Sequence, residues 1–134
     1  MRVLFVCTHN AGRSQMAEGF VNYLASRDHK NVKAESAGTI GADKLNPQAV
    51  LAMAELGIDI SNQKPKLLTQ AMADRADRVI TMGCGVDAQA CPARFLATED
   101  WGLDDPSGQP IEAVRAIRDQ IEAKVQAMLK GAEK

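Results

Sequence analysis

The stretch VLFVCTHNAGRS occupies residues 3–14 and joins an apolar run to a polar loop that holds a cysteine, an arginine and a serine. The short, β-branched run predicts a buried parallel strand over residues 2–6. After Ser14, apolar residues recur at spacings of three and four, which predicts one face of a helix. A loop between a strand end and a helix start turns its backbone N–H groups inward, and the helix dipole adds partial positive charge. The stretch therefore predicts an α/β fold with an oxyanion-binding loop after its first strand.

Cys7 and Arg13 are the candidate reactive residues of this loop. Arg13 offers a planar fork of donors that suits two oxygens of a tetrahedral oxyanion. The positive field of the loop should favour the thiolate form of Cys7, which is its nucleophilic form. The remaining candidate binding residues are Thr8, His9, Asn10, Ala11, Gly12 and Ser14. The alternative is a purely structural cysteine and a solvated arginine, but buried strands rarely end in a polar, glycine-containing loop without a ligand to bind.

Length and composition are those of an ordinary globular domain. The chain has 134 residues, of which 46% are hydrophobic and 25% charged, with a net charge of -1. One catalytic domain over residues 1–134 is expected. The balanced charge argues against a nucleic-acid or lipid-binding face. No signal-peptide core precedes Cys7, and no segment approaches the ~18 apolar residues of a membrane span, so we expect a cytoplasmic protein. We also expect a monomer.

The chain has three cysteines, Cys7, Cys84 and Cys91, and an odd number in an expected cytoplasmic protein argues against a static disulfide framework. They form no ligand pattern with His9 or His29, so no metal site is expected. A helix of about two turns between Cys84 and Cys91 would hold their sulfur atoms too far apart to bond, so a bridge would require unwinding. Glycines beside Cys84 favour an accessible redox switch. Two small buried hydrophobic residues are the alternative.

The rest of the chain alternates strand and helix patterns. Further strands are predicted at residues 32–37, 78–82 and 94–98, and helices at 46–57, 67–73 and 111–129, with a loop over 99–110. This order predicts a three-layer fold in which helices flank a four-stranded parallel sheet. Ligands bind beyond the carboxyl ends of such strands, where the topology can bring Cys7 and Cys84 together.

Asp104-Asp105-Pro106 lies in the turn-rich loop before the last helix. Pro106 restricts Asp105 to extended conformations, which can project its carboxyl group toward a neighbouring site. A thiolate that displaces oxygen from a tetrahedral centre needs an acid to protonate the leaving group. Asp105 is the candidate acid and Asp104 the less constrained neighbour. The pair could also simply solvate a turn, but the presence of Cys7 favours the acid.

Five segments in order resemble a known family. They are residues 7–19, 36–38 and 57–61, the pair Cys84 and Cys91, and residues 99–101 with Asp105 and Pro106. Along essentially the whole chain the sequence is similar to the thioredoxin-coupled arsenate reductases, which share the fold of low-molecular-weight protein tyrosine phosphatases. The resemblance implies that fold, arsenate as substrate, thioredoxin as electron donor, and no metal or organic cofactor.

The resemblance also implies a role for each site residue. Cys7 would be the nucleophile, and the loop from Thr8 to Arg13 would hold arsenate. Asn10 would support the loop, the Ser14 hydroxyl would hydrogen-bond the Cys7 sulfur, and Asp105 would protonate the departing oxygen.

The same resemblance implies a relay of thiols. Cys84 would attack the adduct on Cys7, releasing arsenite and leaving a Cys7–Cys84 disulfide. Cys91 would then attack Cys84, and thioredoxin would reduce the resulting Cys84–Cys91 disulfide. Glutaredoxin or mycothiol would suit a site resolved by an external thiol.

Two positions depart from the family. Many relatives have a second cysteine in the first loop, where this chain has Gly12. Some relatives bind potassium beneath the loop through an Asn, a Glu, a Ser and an Asp. The first three match Asn10, Glu18 and Ser36, but Lys66 stands at the fourth. We expect the Lys66 ammonium to replace the ion, the alternative being an exposed lysine on a turn.

The chief rival function is a protein tyrosine phosphatase, which would use Cys7 and Arg13 with Asp105 and leave the other cysteines idle. Such phosphatases usually carry an aromatic residue where this chain has Ser107, and proline where it has Gln15. A non-enzymatic oxyanion sensor could dispense with nucleophile, acid and redox pair. The sequence therefore favours the arsenate reductase.

Overall fold

A computed structural model of the protein describes residues 1–7, 9–39, 43–82, 99–104, 106 and 108–131. Its strands form one parallel sheet in the order β2-β1-β3-β4. The strands are β1 (Arg2–Cys7), β2 (Lys33–Gly38), β3 (Arg78–Thr81) and β4 (Glu99–Asp100). The sheet confirms the predicted four-stranded parallel arrangement. It places the carboxyl end of β1, and with it Cys7, at the centre of one sheet edge.

Within the described residues, four helices cover the two faces of this sheet. They are α1 (Arg13–Arg27), α2 (Pro47–Ala54), α3 (Gln70–Arg75) and α4 (Ile111–Lys130). Alternate residues of β1 point to opposite faces, as a strand requires. Val3, Phe5 and Cys7 join the larger hydrophobic cluster with α1, α2 and α4, whereas Leu4 and Val6 join a smaller cluster with α3. The predicted three layers are therefore present.

Two predicted assignments were wrong at the sheet, and the helix predicted over residues 46–57 ends at Ala54. The third helix begins at Gln70 rather than at residue 67, because Leu67 forms a parallel bridge with Gly38 and Thr69 then caps the helix by accepting from the Met72 N–H. Glu99 and Asp100 were assigned to a loop but pair with β3 as the fourth strand. The predicted strand over residues 94–98 lies outside the described residues.

An ion-pair cluster fastens α2 to α4. Arg115 donates to Glu55 at 2.6 Å, and this bond holds the pKa of the Glu55 carboxyl below its usual range. The buried Arg118 donates from Nη1 to both Glu55 and the Ala52 carbonyl, each at 2.8 Å. The cluster fixes α2, whose first turn borders the loop that follows β1. In the described part of the chain, no helix has the length and apolar character that crossing a membrane demands.

A candidate oxyanion-binding active site

The sulfur of Cys7 lies at the end of β1, in polar contact with Asn10 of the following loop and with Ser14 in the first turn of α1. Cys7 is 3% exposed. The Asn10 N–H donates to Sγ at 3.1 Å, and the Ser14 Oγ lies 2.8 Å from Sγ. Hydrogen bonds to the charged form of an acid favour that form, so both contacts stabilise a thiolate when the Ser14 hydroxyl donates.

Asn10 donates to the Ser14 hydroxyl from the other side. Its side chain is fully buried, and its Oδ1 accepts from the Lys66 backbone N–H at 2.8 Å. The amide nitrogen therefore points the other way and donates to the Ser14 Oγ at 2.8 Å. The Ser14 oxygen accepts from Asn10 and keeps its own hydrogen available, and when Cys7 is a thiolate, which can only accept, that hydrogen is donated to its sulfur. Asn10 has a φ of 57°, a left-handed conformation that asparagine tolerates better than most residues.

Arg13 is anchored to the ends of two strands. Its Nη1 donates to the Met82 carbonyl at 3.1 Å and to the Leu103 carbonyl at 2.7 Å. Met82 follows β3, and Leu103 lies three residues beyond β4. These bonds fix the plane of a guanidinium that is only 7% exposed. A planar donor held in this way suits recognition of a tetrahedral oxyanion.

Cys7 and Arg13 line a cleft of about 440 Å³. Arg13 and Lys44 supply positive charge, and none of the described lining residues is acidic. The other described residues that line it are His9, Ala11, Gly12, Leu45, Asn46, Pro47, Pro106 and Gly108. The cleft is larger than one arsenate or phosphate ion. It therefore suits an anion together with the group that attacks or leaves it.

A larger cavity of about 790 Å³ lies at the opposite end of the sheet. Its lining includes Met1, Arg78 and Glu99, which stand at the amino ends of the strands. Ligands of parallel sheets bind at the carboxyl ends. The smaller cleft around Cys7 is therefore the candidate active site.

Pro106 packs directly against the loop that follows β1. A Cβ atom at Gly12 would lie 2.9 Å from the Pro106 Cγ, closer than real contacts allow. A cysteine at this position, as in many of the proteins that the sequence resembles, would force Pro106 to shift. Pro106 is buried and lines the cleft, whereas Asp104 is exposed.

Two other anchors tie the loop to the surrounding structure. The Asn46 N–H donates to the Ala11 carbonyl at 2.8 Å, while the Asn46 side chain caps α2. The Gln15 amide, fully buried, donates to the Asn10 carbonyl at 3.0 Å. The sequence predicts Asn46 as a helix cap but not as a loop anchor. For Gln15, the only sequence signal of a role at the site was its place within the motif. No sequence signal indicated that Lys44 lines the cleft.

Three of the four candidate cation-site residues lie together. Glu18 Oε1 accepts from the Ser36 hydroxyl at 2.7 Å and lies 3.5 Å from the Lys66 ammonium. Asn10 instead uses its side-chain oxygen to accept from the Lys66 backbone. The arrangement already contains a cation beside Glu18, so it does not fit an additional bound ion at the same carboxylate.

Five residues named in the sequence analysis lie outside the described residues: Thr8, Cys84, Cys91, Asp105 and Ser107. Their predicted roles stay predictions. Within the described ranges, no group of three His, Cys, Asp or Glu side chains could hold a metal ion.

Known proteins share both the sequence and this fold. The chain matches the family of low molecular weight phosphotyrosine protein phosphatases over residues 2–134. A glutaredoxin arsenate reductase of Synechocystis is 37% identical over 129 residues, 96% of this chain and 95% of that protein. A solved arsenate reductase in the phosphate binding state has a TM-score of 0.82 at 36% identity, covering 98% of each chain. A thioredoxin-dependent arsenate reductase of Corynebacterium glutamicum has a TM-score of 0.76 at 35% identity, covering 96% of this chain and 60% of that one. The chain belongs to the low molecular weight phosphotyrosine protein phosphatase family.

Proposed function

We propose that this protein reduces arsenate to arsenite, with Cys7 as the nucleophile. The observation that carries the proposal is the Cys7 sulfur, hydrogen-bonded by Asn10 and Ser14 at the base of a cleft that also holds Arg13. Relatives named arsenate reductases that match nearly the whole chain support arsenate as the oxyanion.

In the first step, the Cys7 thiolate attacks arsenic and forms a sulfur–arsenic bond. One arsenic–oxygen bond breaks, and Asp105 donates a proton so that the oxygen leaves as water. Arg13 neutralises charge on the remaining oxygens. Arsenic is still in its +5 state at this point.

In the second step, the Cys84 thiolate attacks the Cys7 sulfur. The sulfur–arsenic bond breaks and its electron pair stays on arsenic, which leaves as arsenite in the +3 state. A Cys7–Cys84 disulfide holds the oxidising equivalents. Cys84 follows Met82 by two residues, and the Met82 carbonyl accepts a hydrogen bond from Arg13 in the cleft, so the sequence supports access of Cys84 to Cys7.

In the third step, the Cys91 thiolate attacks Cys84 and restores Cys7 as a thiolate. Thioredoxin then reduces the Cys84–Cys91 disulfide, taking up its two oxidising equivalents as a disulfide of its own. A dithiol donor suits an intramolecular disulfide, and the related thioredoxin-dependent enzyme supports this choice. The relative named glutaredoxin arsenate reductase makes glutaredoxin the first alternative donor to assay.

A phosphatase is the second candidate function, because the family and the oxyanion cleft are shared. It would use Cys7 and Arg13 with Asp105 and form a phosphocysteine that water hydrolyses. None of the described residues that line the cleft is Phe, Tyr or Trp, so they offer no ring to stack on a phosphotyrosine. This composition favours a small inorganic oxyanion over an aromatic phosphate ester.

We predict that Cys91→Ser releases one arsenite per enzyme and then stops as a Cys7–Cys84 disulfide, because the resolving thiolate is absent. Cys84→Ser should release no arsenite, because nothing cleaves the adduct on Cys7. The measurement is arsenite released after rapid mixing without donor, followed by mapping of the disulfide. The parent protein under the same conditions is the control, and it should release one arsenite and end as a Cys84–Cys91 disulfide. Repeated turnover by Cys91→Ser with thioredoxin would contradict the relay.

We predict that Asp105→Asn slows the first step by roughly 10²- to 10⁴-fold, the usual contribution of a positioned acid. Asp104→Asn is the matched control, since Asp104 is exposed and should leave the rate nearly unchanged. Single-turnover arsenite release measures both variants. A larger loss in Asp104→Asn would move the acid to that residue.

We also propose that the Lys66 ammonium supplies the positive charge beside Glu18 that potassium gives some relatives. Replacing sodium by potassium at equal ionic strength should then change neither the melting temperature nor the activity. Lys66→Met should lower the free energy of unfolding by at most about 1 kcal/mol, which is the scale of a partly exposed ion pair. The control is Lys64→Met at an exposed neighbouring position, which should lower it less. A marked rise in melting temperature with potassium in the parent would reject the built-in cation.

A further inference from the structure

Gln15 is a fully buried glutamine in the first turn of α1, and a buried amide needs partners. Its Nε2 donates to the Asn10 carbonyl at 3.0 Å, to the Asn10 Oδ1 at 2.9 Å and to the Lys64 carbonyl at 2.9 Å. Its Oε1 accepts from the Gln63 Nε2 at 2.7 Å. Gln15 therefore joins the nucleophile loop to the segment around residues 63–66.

The direction of every bond in this network is fixed by backbone groups. The Asn10 and Lys64 carbonyls can only accept, so the nitrogen of the Gln15 amide must face them. The Lys66 N–H can only donate, so the Asn10 Oδ1 must face it. Turning the Asn10 amide would place its NH₂ group against both the Lys66 N–H and the Gln15 NH₂. The amide nitrogen of Asn10 is therefore held on Ser14.

The segment that supports this network is itself anchored to the sheet. The Lys66 carbonyl accepts from the N–H of Gly38, the last residue of β2, at 2.8 Å. Gln63 also donates to the Gln15 carbonyl at 3.1 Å. Gln15 thus connects Asn10 to a segment that is hydrogen-bonded to the sheet. Asn10 needs such support because its left-handed backbone conformation is intrinsically unfavourable.

We propose that Gln15 is a positioning residue for Cys7. It holds Asn10 in the backbone conformation that aims its N–H at the Cys7 sulfur and in the amide orientation that donates to Ser14, which leaves the Ser14 hydrogen available for the Cys7 thiolate. Gln63 secures Gln15 from the far side. The proposal rests on the proposed role of Cys7 as nucleophile and adds the residues that keep its thiolate hydrogen-bonded.

The test measures the thiolate directly, in a background of Cys84→Ser and Cys91→Ser that leaves Cys7 as the single cysteine. The rate of alkylation by iodoacetamide is followed against pH, with the melting temperature recorded in parallel. Gln15→Met, similar in size but without hydrogen-bonding groups, should raise the midpoint of the profile by about 0.5 to 1 pH unit. Gln63→Met should shift it less in the same direction, and Gln120→Met, exposed on α4, should not shift it.

A Gln15→Met protein that melts lower but keeps the parental midpoint would overturn the proposal, because Gln15 would then be only structural. If Gln15→Met does not fold, Gln63→Met decides: an upward shift supports the proposal, and an unchanged midpoint overturns it. Alkylation requires neither arsenate nor an electron donor. Failure of the positioning role is therefore distinguishable from failure of the protein to reduce arsenate.

Discussion

The structure depends on one constraint: a sulfur at the end of a buried strand can carry negative charge only if fixed donors replace the water it has lost. Those donors are the Asn10 N–H and the Ser14 hydroxyl, at 3.1 and 2.8 Å from the Cys7 sulfur. The Ser14 oxygen accepts from Asn10, so its one hydrogen is available for a thiolate at Cys7. A buried thiolate without hydrogen-bond donors would be unfavourable in free energy. The polar loop therefore compensates for the burial that the parallel sheet imposes on Cys7.

Hydrogen bonds to the sheet and the helices hold this loop in position. β1 is central, with β2 and β3 on either side, and Arg13 is fastened to carbonyls beyond β3 and β4. The loop is also held by the first turn of α2 through Asn46, and α2 is clamped to α4 by Arg115 and Arg118. The candidate anion-binding groups are thus held in fixed positions by the fold, and fixed donors are the condition for electrostatic catalysis.

Sequence patterns predict the parts of this architecture that rest on local chemistry. Apolar runs and helical spacing predict β1, α1 and α4, and the Asn46-Pro47 pair predicts the start of α2. They fail where pairing decides the structure: Leu67 bridges to β2 instead of entering a helix, and the two residues of β4 are too few to show a period. The helical pattern of α1 cannot reveal that Gln15 and Gln63 meet, because 48 residues separate them. The clash of any side chain at Gly12 with Pro106 likewise depends on the tertiary structure.

The central claim is that the Cys7 thiolate is the nucleophile in the reduction of arsenate. The most direct measurement is steady-state formation of arsenite by the purified protein, supplied with thioredoxin, thioredoxin reductase and NADPH, for the parent and for Cys7→Ser. The parent should turn over many arsenate ions per molecule. Cys7→Ser should release no detectable arsenite, because a hydroxyl of far higher pKa than a thiol cannot replace the thiolate. Appreciable turnover by Cys7→Ser, or a parent that releases no arsenite with thioredoxin or glutaredoxin, would contradict the claim.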